Sequence, residues 1–329
     1  MDHIIELVEL TKKYGDYTAV DRLNLKIRTG EVFGLLGPNG AGKSTTILMM
    51  LGLTEPSSGK ACVCGINATT HPVEVKRKVG YLPEDVGFYE DLTGMENLLY
   101  TARLNGMHGT IAQEKASELL EKVGLGKDAN KKAGKYSRGM RQRLGLADVL
   151  IKNPVVIILD EPTLGIDPNG VRELLELIQK LSREEGLTVL LSSHHLHQVQ
   201  QVCDRVGLFV SGQLKAVGNI QELSNQLFSN HNFMIQVKVG GSPALSKNGL
   251  HTALLQLKAV EKIDKQTEGW INIGCSEDIT PVIAQTIVDA GAELYHLSRK
   301  SYGLDDIYQL YFEGGKKHEN HTPSQTNVI

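Results

Sequence analysis

The sequence predicts an α/β domain followed by a smaller α+β domain, and three observations lead to this. Up to about residue 220, short apolar runs alternate with amphipathic stretches, which is typical of parallel strands joined by helices. Between Gly87 and Val149 the pattern changes, and apolar residues recur at helical spacing. After a polar break at Ser224–His231, apolar and polar residues alternate as in half-buried strands.

The first domain is assigned to residues 1–223. Its clearest predicted strands are Val32–Leu36, Val155–Leu159 and Thr188–Ser192, each of which leads into a polar or glycine-rich turn. The stretch from Gly87 to Val149 is predicted to be a helical insertion. The residues that give it helical spacing are Leu98, Ala102, Ala116, Leu119, Leu120 and Val123.

The second domain is assigned to residues 230–313 and is predicted to be ferredoxin-like. Its segments follow the order β-α-β-β-α-β, which is the signature of that topology. They are Phe233–Val239, Thr252–Leu257, Val260–Gln266, Trp270–Cys275, Ile279–Ala290 and Glu293–Leu297, with a closing helix at Leu304–Phe312. Residues 314–329 are polar and aperiodic, so we expect a disordered tail.

Composition excludes several classes of protein. The formal charge of −3 argues against a general nucleic-acid binder, so no nucleic-acid partner is expected. No stretch approaches the roughly 18–20 apolar residues of a membrane span, and the N-terminal residues do not resemble a secretory signal. The 4 cysteines form no CxxC pair. We place Cys62 and Cys64 on one face of a strand, as small residues in preference to a metal site.

A glycine-rich loop follows the predicted strand Val32–Leu36 and precedes an apolar helix that we place near Thr46. It matches the P-loop pattern G-x-x-x-x-G-K-[ST], and its residues are Gly37, Pro38, Asn39, Gly40, Ala41, Gly42, Lys43, Ser44 and Thr45. Such glycines let backbone N–H groups converge on phosphate oxygens, and the helix N-terminus adds positive potential. We expect Lys43 to reach the β- and γ-phosphates and Ser44 to ligate Mg²⁺. The alternative is a plain glycine-rich turn.

Two acidic residues end a second apolar strand. Val155–Leu159 is a continuous apolar run, as in the middle of a sheet, and Asp160 and Glu161 follow it. Ligands of open α/β sheets bind at the carboxyl ends of the strands, next to these carboxylates. We expect Asp160 to hold Mg²⁺ and Glu161 to polarise the attacking water. Beside a P-loop, this interpretation is favoured over a strand that ends in exposed acids.

The segment Lys135–Arg143 carries a more specific resemblance. It reads Lys-Tyr-Ser-Arg-Gly-Met-Arg-Gln-Arg and resembles the ATP-binding cassette (ABC) signature, whose usual form is Leu-Ser-Gly-Gly-Gln followed by Arg-Gln-Arg. With it, the motifs between Ile4 and Leu223 stand in the order of the ABC ATPases. The departures look like the subfamily that drives ABC-2-type exporters, and Tyr302–Tyr308 resembles the segment that ends its C-terminal domains. The resemblance implies a P-loop NTPase cassette with a helical subdomain, using ATP and Mg²⁺.

The resemblance assigns roles to further residues. Tyr14 matches the aromatic residue that stacks on adenine, and His194 matches the histidine that contacts the γ-phosphate. Glu84 lies at the Q-loop position, where glutamine is usual, and a carboxylate there can still ligate Mg²⁺. Because His195 and His197 are close in sequence to His194, a metal site is the alternative to γ-phosphate sensing.

Three residues are implied to act between two copies of the chain. Ser137, a good helix N-cap, and Gly139 would face the γ-phosphate that a second subunit holds, and Asp167 ends the segment that matches the D-loop. For Ser137 the alternative is a plain helix cap. Arg138 and Met140 depart from the usual signature, and Arg138 either assists or merely flanks the partner's nucleotide.

The implied function is that of an ATPase subunit that drives a membrane exporter. Its partners would be a second copy, in a head-to-tail dimer that encloses two ATP molecules, and a separate multispan permease. It would lie in the cytoplasm, peripheral on the inner face of the cell membrane. The C-terminal domain would support dimerisation or regulation, with a ligand sensor as the alternative. Two other functions stay open: a soluble ABC ATPase that acts on nucleic acid or ribosomes, and an inactive scaffold.

Overall fold

The computed structural model describes residues 3–195, 199–220, 222–223, 233–240, 249–265 and 269–300. The chain divides into two compact units between Asn219 and Ile220, and each is described by itself. The domain limits 1–223, 230–313 and 314–329 stay predictions. Residues 224–232 and 301–329 lie outside the described residues, and with them the polar break, the closing helix, the Tyr302–Tyr308 segment and the tail.

The first unit contains two sheets and a helical subdomain. In chain order its elements are β1 (His3–Tyr14), β2 (Tyr17–Arg28), β3 (Val32–Leu36), α1 (Lys43–Met50), β4 (Ser58–Val63), β5 (Ile66–Asn67), α2 (Pro72–Lys78), β6 (Val79–Leu82), α3 (Gly94–Leu104), α4 (Gly109–Lys122), α5 (Arg138–Leu150), β7 (Val156–Asp160), α6 (Pro168–Glu185), β8 (Thr188–Ser193), β9 (Arg205–Val210) and β10 (Gln213–Gly218).

The larger sheet has the strand order β10-β9-β3-β8-β7-β6. The strands from β9 to β6 pair in parallel, and β10 adds an antiparallel edge. Strands β3 and β7 are buried at every position, as their apolar sequences predict. Because both end at the same edge of the sheet, the loops after Leu36 and Asp160 lie side by side.

The smaller sheet is antiparallel, with the order β2-β1-β4-β5. Its apolar residues share one core with α1 and the larger sheet, and Ile5, Leu23, Phe33 and Ile47 are fully buried in it. This shared core fixes the β1–β2 hairpin beside the loop that follows β3.

The predicted helical insertion is confirmed as α3, α4 and α5, although its first helix begins only at Gly94. Thr93 and Glu96 form a capping box, in which each side chain accepts a hydrogen bond from the other's backbone N–H. The six residues that gave the helical spacing are all buried: Leu98, Ala102, Ala116, Leu119, Leu120 and Val123.

Three predicted details were wrong. Strand β7 begins at Val156, because Val155 is 47% exposed and its N–H bonds to Lys78 before the ladder with β6 starts. Helix α1 begins at Lys43, not near Thr46, since the chain turns at Gly42 with φ 107°. Cys64 lies outside β4, in a two-residue turn with Gly65. Both turn residues have positive φ, 54° and 75°, which the twist of a tight hairpin requires.

The second unit has the predicted β-α-β-β-α-β order. Its elements are β11 (Phe233–Gly240), α7 (Gly249–Leu255), β12 (Val260–Lys265), β13 (Trp270–Cys275), α8 (Thr280–Asp289) and β14 (Glu293–Lys300). The antiparallel sheet has the order β12-β13-β11-β14, as in a ferredoxin-like fold. Its core joins strand residues such as Ile235 and Ile273 to Ile283 and Ile287 of α8.

Within the described residues, no helix combines the length and apolar character needed to cross a membrane. The longest, α6, has 18 residues and is amphipathic, with buried Leu174 and Ile178 on the face toward the sheet.

Candidate functional site

One pocket gathers most of the predicted site residues. It lies where β3 and β7 end, beside the β1–β2 hairpin, and its lining residues are Tyr14, Tyr17, Ala19, Asn39, Gly40, Ala41, Gly42, Lys43, Ser44, Thr45, Glu84 and Glu161. The hairpin, the loop after β3, the segment after β6 and the end of β7 therefore contribute to one concave site. This is the edge of the sheet at which α/β folds bind ligands.

The loop after β3 ends at Gly42, in a backbone conformation that only glycine tolerates. Gly42 has φ 107°, and a Cβ there would lie 2.3 Å from the carbonyl oxygen of Ala19. This residue is the N-cap of α1, so Lys43, Ser44 and Thr45 form the first turn of the helix. Their backbone N–H groups have no partner within the helix, and all three residues line the pocket, which suits an anion.

The Lys43 ammonium is buried in the middle of the loop. Its Nζ donates hydrogen bonds to the carbonyl oxygens of Gly37, at 2.7 Å, and Pro38, at 3.2 Å, and lies 3.7 Å from Glu161 Oε1. Burial lowers the pKa of Lys43, while the charges of Glu161 and Asp160 oppose that shift. The site thus holds a desolvated cation next to two carboxylates.

The two carboxylates at the end of β7 carry oxygens without hydrogen-bond partners. Asp160 and Glu161 are both 6% exposed. Among the described residues, Asp160 Oδ1, Glu161 Oε2 and the Ser192 hydroxyl make no hydrogen bond, whereas Glu161 Oε1 contacts Lys43 and His194. Glu161 also has φ 49°, a left-handed backbone that is uncommon for a residue with a side chain. Buried acceptors without partners are suited to bind a ligand that supplies protons or positive charge.

His194 lies beside the second carboxylate. Its Nδ1 is 2.9 Å from Glu161 Oε1, and its ring stacks against that of His195 with the ring centroids 3.9 Å apart. Burial, and then the charge of His194, lower the pKa of His195. In the part of the chain that the structure describes, no three His, Cys, Asp or Glu side chains cluster as metal ligands. His197, which belongs to the metal-site alternative, lies outside that part. The γ-phosphate role of His194 stays a prediction.

Three predicted site residues do not line this pocket and lie at the starts of two helices instead: Ser137, Gly139 and Asp167. Ser137 caps α5, its hydroxyl accepting a hydrogen bond from the Met140 N–H at 3.2 Å. Asp167 caps α6 in the same way through the Gly170 N–H, at 3.1 Å. The predicted N-cap is confirmed, whereas the roles toward a second subunit's nucleotide stay predictions.

Oxygen ligands for a magnesium ion are present in the pocket lining and at the end of β7, next to it. Ser44 and Glu84 line it, and Asp160 contributes the buried Oδ1 that has no hydrogen-bond partner. Hydroxyl and carboxylate oxygens are the ligands that Mg²⁺ prefers, with the remaining positions taken by water and substrate phosphate. The residues present therefore fit this ion.

Tyr17 was missed in the sequence. Two residues separate β1 from β2, so Tyr14 and Tyr17 are paired across the hairpin, and the Tyr17 hydroxyl lies 3.5 Å from the Gly40 carbonyl oxygen. The two rings are similarly exposed, at 51% and 59%. The Tyr-Gly-Asp-Tyr spacing of a two-residue turn could have indicated the pair.

Replacing Tyr14 with alanine is expected to raise the Kd for ATP roughly tenfold, because stacking on an aromatic ring contributes about 1–3 kcal/mol per base. Tyr14→Phe keeps the ring and is expected to bind as the wild type does. Calorimetric titration of each variant with ATP measures the difference. Tyr17→Ala is the matched control, and a larger loss in that variant than in Tyr14→Ala would transfer the adenine contact to Tyr17.

The known proteins that this chain resembles agree with the motifs and the fold described above. The sequence profile described as ABC transporter matches residues 20–164. The chain is 36% identical to an uncharacterized ABC transporter ATP-binding protein, YhcH, of Bacillus subtilis, over 97% of this chain and 99% of the relative. It is 44% identical to the bacitracin transport ATP-binding protein BcrA of Bacillus licheniformis, over 65% of this chain and 69% of that protein.

A solved structure agrees with these relatives. It is the dimeric form of an ATP-binding cassette in a post-hydrolysis state, bound to ADP and Pi. The TM-score is 0.60 at 27% sequence identity, over 65% of this chain and 98% of the solved one. The share of this chain that the solved cassette covers, 65%, is close in length to the first unit.

Proposed function

The chain belongs to the ABC transporter family of ATP-binding proteins, and from this premise we propose that it powers a membrane exporter whose transmembrane part is a separate polypeptide. The observation that carries the proposal is the single pocket that brings Tyr14, Lys43, Glu84 and Glu161 together. The reaction is hydrolysis of ATP to ADP and phosphate, the two products held by the structurally similar cassette.

The binding step follows from the loop after β3. Tyr14 provides a flat apolar surface for the adenine, and the first turn of α1 presents backbone N–H groups to the phosphates. On binding, the Lys43 ammonium exchanges its carbonyl partners for phosphate oxygens, since it is the buried cation nearest to them. Ser44, Glu84 and Asp160 would hold Mg²⁺, which would neutralise charge on the β- and γ-phosphates.

The chemical step depends on Glu161. Its carboxylate orients a water and accepts its proton as the oxygen attacks the γ-phosphorus, and the bond to the β–γ bridging oxygen breaks. Glu161 Oε2 is buried and makes no hydrogen bond, which leaves that oxygen free for this task. We further propose that His194, whose Nδ1 lies 2.9 Å from Glu161 Oε1, contacts the γ-phosphate as charge develops on it.

The working form is a dimer, as in the structurally similar cassette. Ser137 and Gly139 lie outside the pocket of their own subunit, which leaves the start of α5 available to the nucleotide of a second copy. Two subunits then enclose two ATP molecules, and hydrolysis reopens them. The permease converts that motion into transport and holds the subunit at the inner face of the membrane. The relative BcrA is a bacitracin transport protein, which favours export of a drug-like compound.

The test is co-purification of the full chain from detergent-solubilised membranes. We expect a multispan membrane protein to elute with it in fixed ratio, and the ATPase activity of the complex to change when a transported compound is added. The Glu161→Gln variant should retain the membrane partner and lose the activity. Elution with RNA or DNA, together with ATPase activity stimulated by that nucleic acid, would contradict the proposal.

A further inference from the structure

Arg138, the first residue of α5, contacts the segment that follows Glu161 in the same subunit. Its Nε donates a hydrogen bond to the carbonyl oxygen of Leu164 at 2.6 Å. Its NH2 group lies 3.8 Å from the carboxylate of Asp85, the neighbour of Glu84. The side chain is therefore directed toward its own chain.

The segment Leu164–Ile166 packs closely under this guanidinium. Gly165 has φ 71°, and a Cβ there would lie 2.8 Å from Arg138 Cδ and 3.0 Å from Nε. One residue on, Ile166 Cγ2 lies 3.3 Å from where a Cβ of Gly139 would be. Glycine at both positions thus allows the start of α5 and this segment to approach each other.

Backbone hydrogen bonds connect the same segment to Glu161. The Leu164 N–H donates to the Glu161 carbonyl oxygen at 3.1 Å, and the Glu161 N–H donates to Ser192 at 3.0 Å. Glu161 has φ 49°, a conformation that persists only where its surroundings hold it. One residue, Leu164, therefore links the backbone of Glu161 to Arg138 through its N–H and its carbonyl oxygen.

We propose that Arg138 is a positioning residue for Glu161: by holding the Leu164 carbonyl, it fixes the tight turn that orients the catalytic carboxylate of its own subunit. This inference rests on the proposed function, because it presupposes that Glu161 acts in hydrolysis. It also joins the start of α5, where Arg138 lies, to two other motif segments, those at Asp85 and at Leu164–Ile166.

The guanidinium is suited to this role. Its planar array of N–H donors serves the Leu164 carbonyl and the Asp85 carboxylate at once, whereas a lysine ammonium is a point charge. The two contacts contribute unequally to holding the Arg138 side chain. Asp85 is 93% exposed, so the ion pair is strongly screened, and the short hydrogen bond to Leu164 contributes most.

The test compares the steady-state ATPase kinetics of the full-length protein with those of Arg138→Met. We expect kcat to fall roughly tenfold, the size expected when a hydrogen bond from a charged donor is lost. The KM for ATP should stay within about twofold, because the ATP pocket does not include Arg138. Arg138→Lys should recover part of the loss, since an ammonium can still donate to the Leu164 carbonyl.

Arg172→Met is the matched control, outside the signature segment. Arg172 is 66% exposed against 42% for Arg138, and it contacts Glu176 at 3.9 Å, away from Leu164. Its kcat and KM should be unchanged. Equal losses in both variants, an unchanged kcat in Arg138→Met, or a raised KM alone would overturn the inference. Assaying Glu161→Gln alongside keeps the two hypotheses apart, because its full activity would instead refute the proposed function.

Discussion

Glu161→Gln is expected to abolish ATP hydrolysis while leaving nucleotide binding intact. Glutamine has the size of glutamate but cannot accept the proton of the attacking water, and loss of a general base lowers kcat about 10²- to 10⁴-fold. Binding should persist, because Glu161 lies 3.7 Å from the Lys43 ammonium and its neutralisation removes a carboxylate that competes with the triphosphate. Bound but unhydrolysed, ATP should hold two subunits together.

Three measurements test this expectation. Single-turnover phosphate release gives the rate of the chemical step, titration with ATP gives the affinity, and light scattering after gel filtration gives the mass with and without ATP. Glu96→Gln is the control: it makes the same chemical change at the capping box of α3, which glutamine also forms. Turnover equal to the wild type in Glu161→Gln would remove this residue from the catalytic role.

Lys43→Ala is expected to weaken ATP binding by about 10- to 100-fold, and hydrolysis with it. The ammonium is buried and desolvated next to Asp160 and Glu161, so its hydrogen bonds to phosphate would be charge-assisted and worth about 1.5–3 kcal/mol each. Without it, the triphosphate would meet those two carboxylates with no cation between them. Calorimetric titration with ATP measures the loss.

Lys152, a half-buried lysine, serves as the control for Lys43. Lys152 Nζ donates to the Lys76 carbonyl oxygen at 2.6 Å, and burial lowers its pKa as it does for Lys43. Lys152→Ala therefore removes a comparable ammonium remote from the pocket, and ATP affinity should not change. The P-loop assignment fails if Lys43→Ala binds ATP as tightly as this control while melting at the same temperature.

Local patterns were enough to predict the parallel sheet, the helical insertion and the second unit, but not the antiparallel sheet β2-β1-β4-β5. A continuous apolar run such as β7 can be buried only inside a sheet, and the alternation in β11 requires one buried face. The glycine-rich loop between β3 and α1 was identified for a similar reason, since its chemistry lies within nine consecutive residues. Local sequence patterns therefore predict structure that depends on residues close to one another in the chain.

Features that depend on distant contacts were not predicted. The sequence indicated only that Arg138 either assists or flanks a partner's nucleotide, because nothing near it in sequence indicates the Leu164 carbonyl, 26 residues further on. The first residue of β7 was misplaced, since only the pairing of Val79 with Val156 shows where the ladder begins. Such contacts arise from packing that a local pattern does not contain.

The left-handed backbone at Glu161 has a geometric consequence for the acidic pair. In a continuing strand, consecutive side chains point to opposite faces of the sheet, so Asp160 and Glu161 would be separated by the sheet itself. A φ of 49° at Glu161 ends that alternation after Asp160. Two adjacent carboxylates can then act on the same side of the sheet, and both influence the one ammonium of Lys43. The turn thereby gathers two adjacent acidic residues at one strand end around a single buried cation.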